Sequence, residues 1–372
     1  MNRIDVAIIG AGVIGLAIAQ TLCKGHRSII VLEKNDTFGQ ETSSRNSEII
    51  HSGIYYPKDF LKTRFCIEGN RLLYEYCREC DIPHKKIGKL IVARNDREVS
   101  KIEELFAQGN ANGIEDLQLL GEEELLKLEP NVKAKCGVFS PSAGILDSHK
   151  FMDSLESYSR DNNVIMAYKC RVIGIGNKMG EYKIELVDAD GEPVVLTVGV
   201  IINAAGLDSD KIAQMAGIDV SAEGYKINYS KGEYFRVRDI KKDMVKHLIY
   251  PPPGDHGLGI HTVTDTAGRL KLGPNDFSVD ELSYEVDISH RDEFYEAVKD
   301  FLPFLEPEDL SPDIAGIRPQ LEPIESKKRD FIIKDEDGNG LPNFINLIGI
   351  ESPGLTASLA IAKYVAGLVP LG

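Results

Sequence analysis

From residue 6 to residue 23 the chain carries no charged side chain, and its apolar positions change period within that run. Residues 5–9, Asp-Val-Ala-Ile-Ile, are a short β-branched stretch that predicts a strand. Glycines follow at 10, 12 and 15, then a helix-like segment to about residue 24 and a second strand over 28–32. The opening is therefore β-α-β. Residues 41–60 are rich in Ser, Asn and Gly and read as a loop that carries function, before a helix over 61–80.

Beyond residue 88 the pattern predicts a strand at 88–93, a helix at 96–110, a capped acidic helix at 122–128 and extended chain at 136–141. A helix starts at Asp147-Ser-His and strands follow over 164–175, 182–188 and 194–204, with Asp190-Gly191 in a hairpin position. Residues 225–275 alternate apolar and polar side chains over 229–237, 247–250, 258–263 and 270–273, the mark of an antiparallel sheet. A helix at 291–301 and a Pro-rich passage lead to Ile314-Ala-Gly-Ile-Arg-Pro319. The end is a strand at 331–334, a turn at 337–340, a strand at 344–347 and a small-residue helix from 354. Parallel-sheet signals at the start, middle and end, with antiparallel signals between them, predict an α/β protein, α+β overall. One domain is expected from three pieces, 1–80, 145–224 and 315–372, and a substrate domain with a mixed or antiparallel sheet from 81–144 and 225–314.

Composition narrows the function. A chain of 372 residues accommodates two or three domains, and 42% hydrophobic with 27% charged residues is ordinary for a globular protein. A formal net charge of −15 argues against a nucleic-acid partner, since phosphate binding needs clustered Lys and Arg. A small anionic carboxylate substrate stays compatible if a few basic side chains gather at its site. The uncharged run of 6–23 could be mistaken for a membrane span, but three glycines at phosphate-binding spacing favour a nucleotide turn. No other stretch approaches spanning length, so a cytoplasmic protein is expected, with peripheral contact to a membrane left open. The six cysteines are scattered, as in a reducing compartment. Cys77 and Cys80 form a CxxC, but it lies inside a helical stretch with no second pair to complete a metal site, so no metal is expected.

The chemistry begins at Gly10-Ala-Gly12-Val13-Ile14-Gly15. Gly10 permits the tight turn, Gly12 lets backbone approach a pyrophosphate, and Gly15 allows close helix–strand packing. The phosphates then face the positive end of the helix that Val13 and Ile14 open. Glu33 closes the second strand, followed by Lys34, where a carboxylate accepts both ribose hydroxyls and repels a 2′-phosphate.

Three later segments point to FAD rather than NAD. The strand 200–206 ends in Ala204-Ala205-Gly206, small residues that let backbone close on a cofactor. A second Gly-rich turn, with Gly349, precedes a helix starting Gly354-Leu355-Thr356, whose N–H groups could stabilise negative charge on a reduced flavin ring. Thr42-Ser43-Ser44-Arg45-Asn46-Ser47 offers hydroxyl and amide donors. No second nucleotide unit is evident, because Gly174-Ile-Gly176 sits between strands, so electrons are expected to enter from a small organic substrate.

With Thr42–Tyr56, Lys62 and Cys66, then Gly232-Glu-Tyr-Phe235, 247–251, Gly259-Ile-His261, Gly273-Pro-Asn275 and Ala315–Pro319, the chain resembles the L-2-hydroxyglutarate dehydrogenases and oxidases. These belong to the D-amino-acid-oxidase-like FAD superfamily, and the likeness covers nearly the whole chain. It departs at Ser44-Arg45-Asn46, where that family carries Gly-His-Asn, and at Glu351–Thr356. The resemblance implies a Rossmann-like FAD-binding domain with an inserted substrate domain and adds Val172 to the cofactor contacts. It also implies oxidation of an L-2-hydroxy acid, with oxygen, a quinone or an electron-transfer protein as the acceptor.

By the same likeness Arg318, in Gly-Ile-Arg-Pro, is the expected clamp for the substrate carboxylate, which its guanidinium fork matches bidentately. His51 and His261 are the candidate catalytic bases, since a histidine can take a hydroxyl proton while hydride leaves the α-carbon. His261, on the sheet expected to roof the flavin, is slightly favoured, and His51 is expected at the ring's edge. Tyr55, Lys62, Lys231, Tyr234 and Tyr250 are the further candidates for substrate binding. A flavin amine oxidase and a non-catalytic or RNA-modifying flavoprotein are the competing readings.

Overall fold

The computed structural model describes residues 3–25, 27–178, 181–254, 257–323 and 329–370. The chain divides into two compact units. Unit 1 comprises Met1–Ser44, Ser148–Tyr229 and Arg318–Gly372, and unit 2 comprises Arg45–Asp147 and Ser230–Ile317. The largest difference from expectation is residues 45–80, which group with unit 2. The helix Leu61–Glu79 buries Phe65, Cys66, Leu73 and Cys77, and a Cβ on Gly53 of the preceding loop would stand 2.7 Å from Ile67 on it.

In unit 1 an eight-stranded sheet forms among the described residues, and its centre is parallel. Ile4–Ile9 pairs with Ile29–Leu32 on one side and with Pro193–Asn203 on the other, in the register Val6↔Val200. Pro193–Asn203 is long enough to do two things. Its first half pairs antiparallel with Glu181–Val187, and its last three residues run parallel to Leu341–Ile348. The apolar run of the N-terminus folds as a ten-residue helix, Val13–Leu22, nine of whose residues are buried. It packs against the small-residue helix Gly354–Leu368 and against Ser148–Asp161, so its hydrophobicity serves a core. Among the described residues no helix is long and apolar enough to cross a membrane.

The strand expected over 164–175 is two strands. Ile165–Ala167 pairs with Ile29–Leu32, whereas Arg171–Lys178 pairs antiparallel with Glu181–Val187, and Lys169 makes the bend at φ 56°.

Unit 2 carries two larger sheets. Residues 225–275 do not form a single antiparallel sheet: Leu248–Tyr250 leaves it and pairs parallel to Lys89–Ala93, which also pairs with Cys136–Ser140. The others stay together, with His261–Thr264 pairing to Leu270–Gly273 and the latter to Ile227–Val237. All five residues of Lys89–Ala93 are buried, because this strand lies inside its sheet. The short helix Arg291–Val298 covers Phe235 with Phe294, ring centroids 4.6 Å apart.

Candidate functional site: a glycine cradle and a buried histidine–lysine cluster

In unit 1 the strand Ile4–Ile9 ends at Gly10, whose φ of 105° is accessible to glycine and strained for other residues. A Cβ there would stand 2.5 Å from the Ala204 carbonyl oxygen, and one on Gly15 only 2.0 Å from the Gly10 oxygen. Gly12 is less confined, a Cβ meeting the Ser43 hydroxyl at 3.0 Å. Ala204 donates its N–H to the Ile9 oxygen, so the small residues Ala204, Ala205 and Gly206 close directly on the glycine turn.

Other expected cofactor residues gather at this turn. Ser43 accepts the Val13 N–H at 3.0 Å, which sets its hydroxyl on the helix N-terminus where a phosphate is expected. Glu33 is buried and accepts from the amides of Ala11, at 2.8 Å, and Asn35, at 2.9 Å. Its carboxylate is thus held at the end of the second strand with lone pairs to spare for ribose hydroxyls. A cradle that side chains would fill, a helix N-terminus and a fixed carboxylate fit a dinucleotide such as FAD. Lys34 is committed elsewhere, to Glu41 at 2.8 Å and to Asp208. Burial opposes its charge, but these two partners outweigh burial and raise its pKa. Val172 lies on the strand paired with Leu186 and its side chain joins the core. Gly349, at φ 71°, meets Leu321, and Gly354, Leu355 and the fully buried Thr356 open the C-terminal helix. Thr42 and Ser44 share a 3-10 turn with Ser43, while Arg45, Asn46 and Ser47 fall in unit 2.

The ends of the parallel strands are tied by a buried polar network that sequence reasoning missed. Asn203 donates to Asn346 at 2.8 Å, Asn346 to Glu336 at 2.8 Å, and Tyr225 to the same carboxylate at 2.9 Å. Isolated asparagines at strand ends read as turn residues, and only the parallel pairing Asn203↔Asn346 brings them together.

Unit 2 brings several of the other candidates into one cluster. The His261 Nδ1 lies 2.7 Å from the Gly259 carbonyl oxygen, so this nitrogen carries the proton and Nε2 does not. The His261 ring stacks on Tyr250 with centroids 3.7 Å apart, and Tyr250 on Tyr55 at 6.3 Å. His261 is the first residue of its strand rather than a mid-strand position. His51 lies 3.2 Å through Nδ1 from the Nζ of Lys89, a residue absent from the sequence-based candidates. The Lys89 ammonium stands 4.1 Å from the Tyr250 ring centroid and 5.1 Å from that of Tyr55. Burial brings Lys89 down to about 7. Burial first, and the Lys89 charge second, hold His51 well below its ordinary range. Desolvation lifts the Tyr55 and Tyr250 hydroxyls well above theirs and pushes the Cys66 thiol up to about 12.

Tyr234 belongs to the core around Tyr250 and Leu248. Lys62 is buried, with its ammonium 5.3 Å from the Tyr56 ring. Lys231 is held by Glu233 at 3.3 Å and by the Glu285 carbonyl, which makes it a structural cation. Arg318 is half-buried on the strand Leu310–Leu321. The signal that could have exposed Lys89 is its strand: Leu-Ile-Val-Ala is apolar at every position, as in a strand covered on both faces.

A family model described as FAD dependent oxidoreductase (DAO) matches residues 5–368. The chain is similar to the mitochondrial L-2-hydroxyglutarate dehydrogenase of Arabidopsis thaliana, with 37% identity over 98% of this chain and 83% of that one. It is also similar to a glycerol 3-phosphate dehydrogenase of Caloramator mitchellensis, at 31% identity over 98% and 73%. Among solved structures it is similar to dithionite-reduced L-α-glycerophosphate oxidase from Mycoplasma pneumoniae with FAD bound. There the TM-score is 0.89 and the identity 29%, covering all of this chain and 96% of that one.

Proposed function

Because the chain belongs to the DAO family of FAD-dependent oxidoreductases, we propose that it oxidises an L-2-hydroxy acid, with L-2-hydroxyglutarate as the first candidate, to the 2-oxo acid. The observation that carries this reading is the pair of histidines in unit 2, His261 buried and His51 half-buried, since an alcohol must lose its hydroxyl proton as its hydride leaves. The 37% identity to a plant L-2-hydroxyglutarate dehydrogenase supports the choice of substrate.

Bound FAD supplies the hydride acceptor. The Gly10–Gly15 turn and Glu33 would hold its pyrophosphate and ribose, and Arg318 would clamp the substrate's carboxylate. His51 takes the hydroxyl proton. We favour His51 because the Lys89 amine backs its Nδ1 at 3.2 Å; the His261 Nδ1–H, held by the Gly259 carbonyl, likewise leaves Nε2 as the acceptor, so His261 is the second candidate base. Electrons then leave to oxygen, a quinone or an electron-transfer protein, and reoxidation of the reduced protein by each identifies the acceptor.

Stopped-flow flavin reduction under anaerobic conditions tests the reading, with L-2-hydroxyglutarate, glycerol 3-phosphate and glutamate as reductants. L-2-hydroxyglutarate should bleach the flavin fastest, and His51→Ala should slow it about 100-fold or more with FAD retained, the range of a general base. Faster bleaching by glycerol 3-phosphate or by the amino acid replaces the substrate, and a wild-type rate in His51→Ala removes the base.

A further inference from the structure

A lysine wholly removed from water normally has a carboxylate beside it, because an unpaired buried charge is costly. Lys89 is 0% exposed, and among the described residues no carboxylate forms an ion pair with it. What surrounds it is the His51 imidazole, the faces of Tyr250 and Tyr55, His261 beyond Tyr250, and the Cys66 thiol of the helix Leu61–Glu79. The tyrosines and the thiol all have raised pKa values and stay neutral. No accessible surface also means that Lys89 does not touch a ligand. Any influence it has on the reaction passes through His51.

We propose that His51 and Lys89 form a proton-accepting pair, in which the neutral amine of Lys89 fixes the reactive tautomer of His51 and stores the proton that the reaction releases. This inference deepens the reading of His51 as the base and rests on it. With Lys89 neutral, the Nδ1–H of His51 donates to the lone pair of Nζ, so Nε2 is the unprotonated nitrogen. When substrate reacts, the hydroxyl O–H breaks and its proton bonds to Nε2. The Nδ1–H bond breaks and that proton bonds to Nζ. The Cα–H electron pair would leave as hydride to the acceptor that bound FAD supplies, and the former O–H pair becomes the carbonyl π bond. His51 ends neutral in the other tautomer. Lys89 ends as an ammonium facing two aromatic rings, a setting that stabilises a cation. Its pKa of about 7, with His51 well below its usual value, makes the second transfer downhill.

Below about pH 7 Lys89 already carries its proton and donates to Nδ1, which leaves His51 protonated on Nε2 and without a basic face. The same residue therefore switches the base off in acid. Lys89 is on this account a positioning residue, and its signature is a tautomer change in His51 that a purely structural lysine would not cause.

Two measurements on the FAD-loaded protein test the pair. Nitrogen-15 NMR of histidine-labelled protein, without substrate, should show His51 passing from the Nδ1–H to the Nε2–H tautomer as pH falls through about 7. In Lys89→Met that transition should be absent. A single His51 tautomer from pH 5.5 to 9 in the wild type overturns the inference, whatever the substrate proves to be. In stopped-flow reduction by L-2-hydroxyglutarate, the acid limb near pH 7 should move below 6.5 in Lys89→Met, and the rate at pH 9 should fall at least 10-fold. An unmoved limb and an unchanged rate at pH 9 also overturn it. Failure of L-2-hydroxyglutarate to reduce even the wild type is a failure of the substrate reading, and the NMR result still decides the pair.

Discussion

Unit 1 compensates the charges around its cradle, whereas unit 2 holds one buried amine, Lys89, with no carboxylate beside it among the described residues. In unit 1 each charge of the cradle has a fixed counterpart: Lys34 meets Glu41 and Asp208, Asp208 also meets Lys211 at 2.7 Å, and Glu33 accepts two amides. Such contacts hold geometry. In unit 2 Glu129 is closed in the same manner by His247 and two amides, and Glu233 by His290 and Lys231. Among the described residues Lys89 has aromatic faces, an imidazole and the Cys66 thiol about it, and no carboxylate. Compensated charge suits a surface for binding; an amine left without a counter-ion holds its proton loosely, as the proposed proton transfer requires.

The contrast can be broken at either end. The largest effect should come from the cradle itself. Gly15→Val places its side chain against the Gly10 carbonyl and should purify without flavin, whereas Gly12→Ala, which meets only a serine hydroxyl, should retain part of it. Flavin absorbance per protein measures both, and equal flavin content in Gly15→Val and wild type would refute the cradle.

Next comes stability against pH. The folded pKa of Lys89 is depressed to about 7, so between pH 7 and about 10 the unfolded chain binds more protons and stability rises with pH. Lys89→Met removes this penalty. It should be more stable than wild type below pH 7, by on the order of 4 kcal/mol, and the advantage should vanish near pH 10. Denaturant midpoints at pH 6 and 10 measure it, and parallel pH profiles would show that Lys89 is not buried as a neutral amine.

Arg318→Lys should keep FAD but lose on the order of 3 kcal/mol of substrate binding, because an ammonium cannot reproduce the bidentate fork. The Michaelis constant and turnover read it, and unchanged values remove the clamp. The smallest effect belongs to Lys34, whose pKa is raised, so its stabilisation is present below about pH 10 and lost as pH climbs through the folded value. Lys34→Met should cost about 1 kcal/mol at pH 7, opposite in sign to Lys89→Met. The same sign for both would erase the contrast between the units.

Much of the cradle was legible because its signals are local. The strand, the three glycines and Glu33 lie within thirty residues, and steric need alone selects glycine at 10 and 15. The candidate cluster of unit 2 was legible in parts. His51 and His261 stood out by residue type, but Lys89 opens an apolar strand and looks like a solvated strand end. Its burial comes from Leu248–Tyr250, about 160 residues later, a segment whose alternation assigned it to the wrong sheet. Residues 45–80 were placed with the nucleotide domain because they follow it in sequence, although their apolar face is spent on unit 2. Periodicity reports which face is buried and leaves open which neighbour buries it.

The helix Val13–Leu22 is covered by Gly354–Leu368, and the strand Pro193–Asn203 gains its parallel neighbour only from Leu341–Ile348. During synthesis, then, Val13–Leu22 emerges well before the helix that covers it. At about 5–20 residues per second that interval is on the order of tens of seconds, during which the greasy face of Val13–Leu22 has no permanent lid. That face needs a provisional partner such as Ser148–Asp161, which also packs on it, until Gly354–Leu368 arrives.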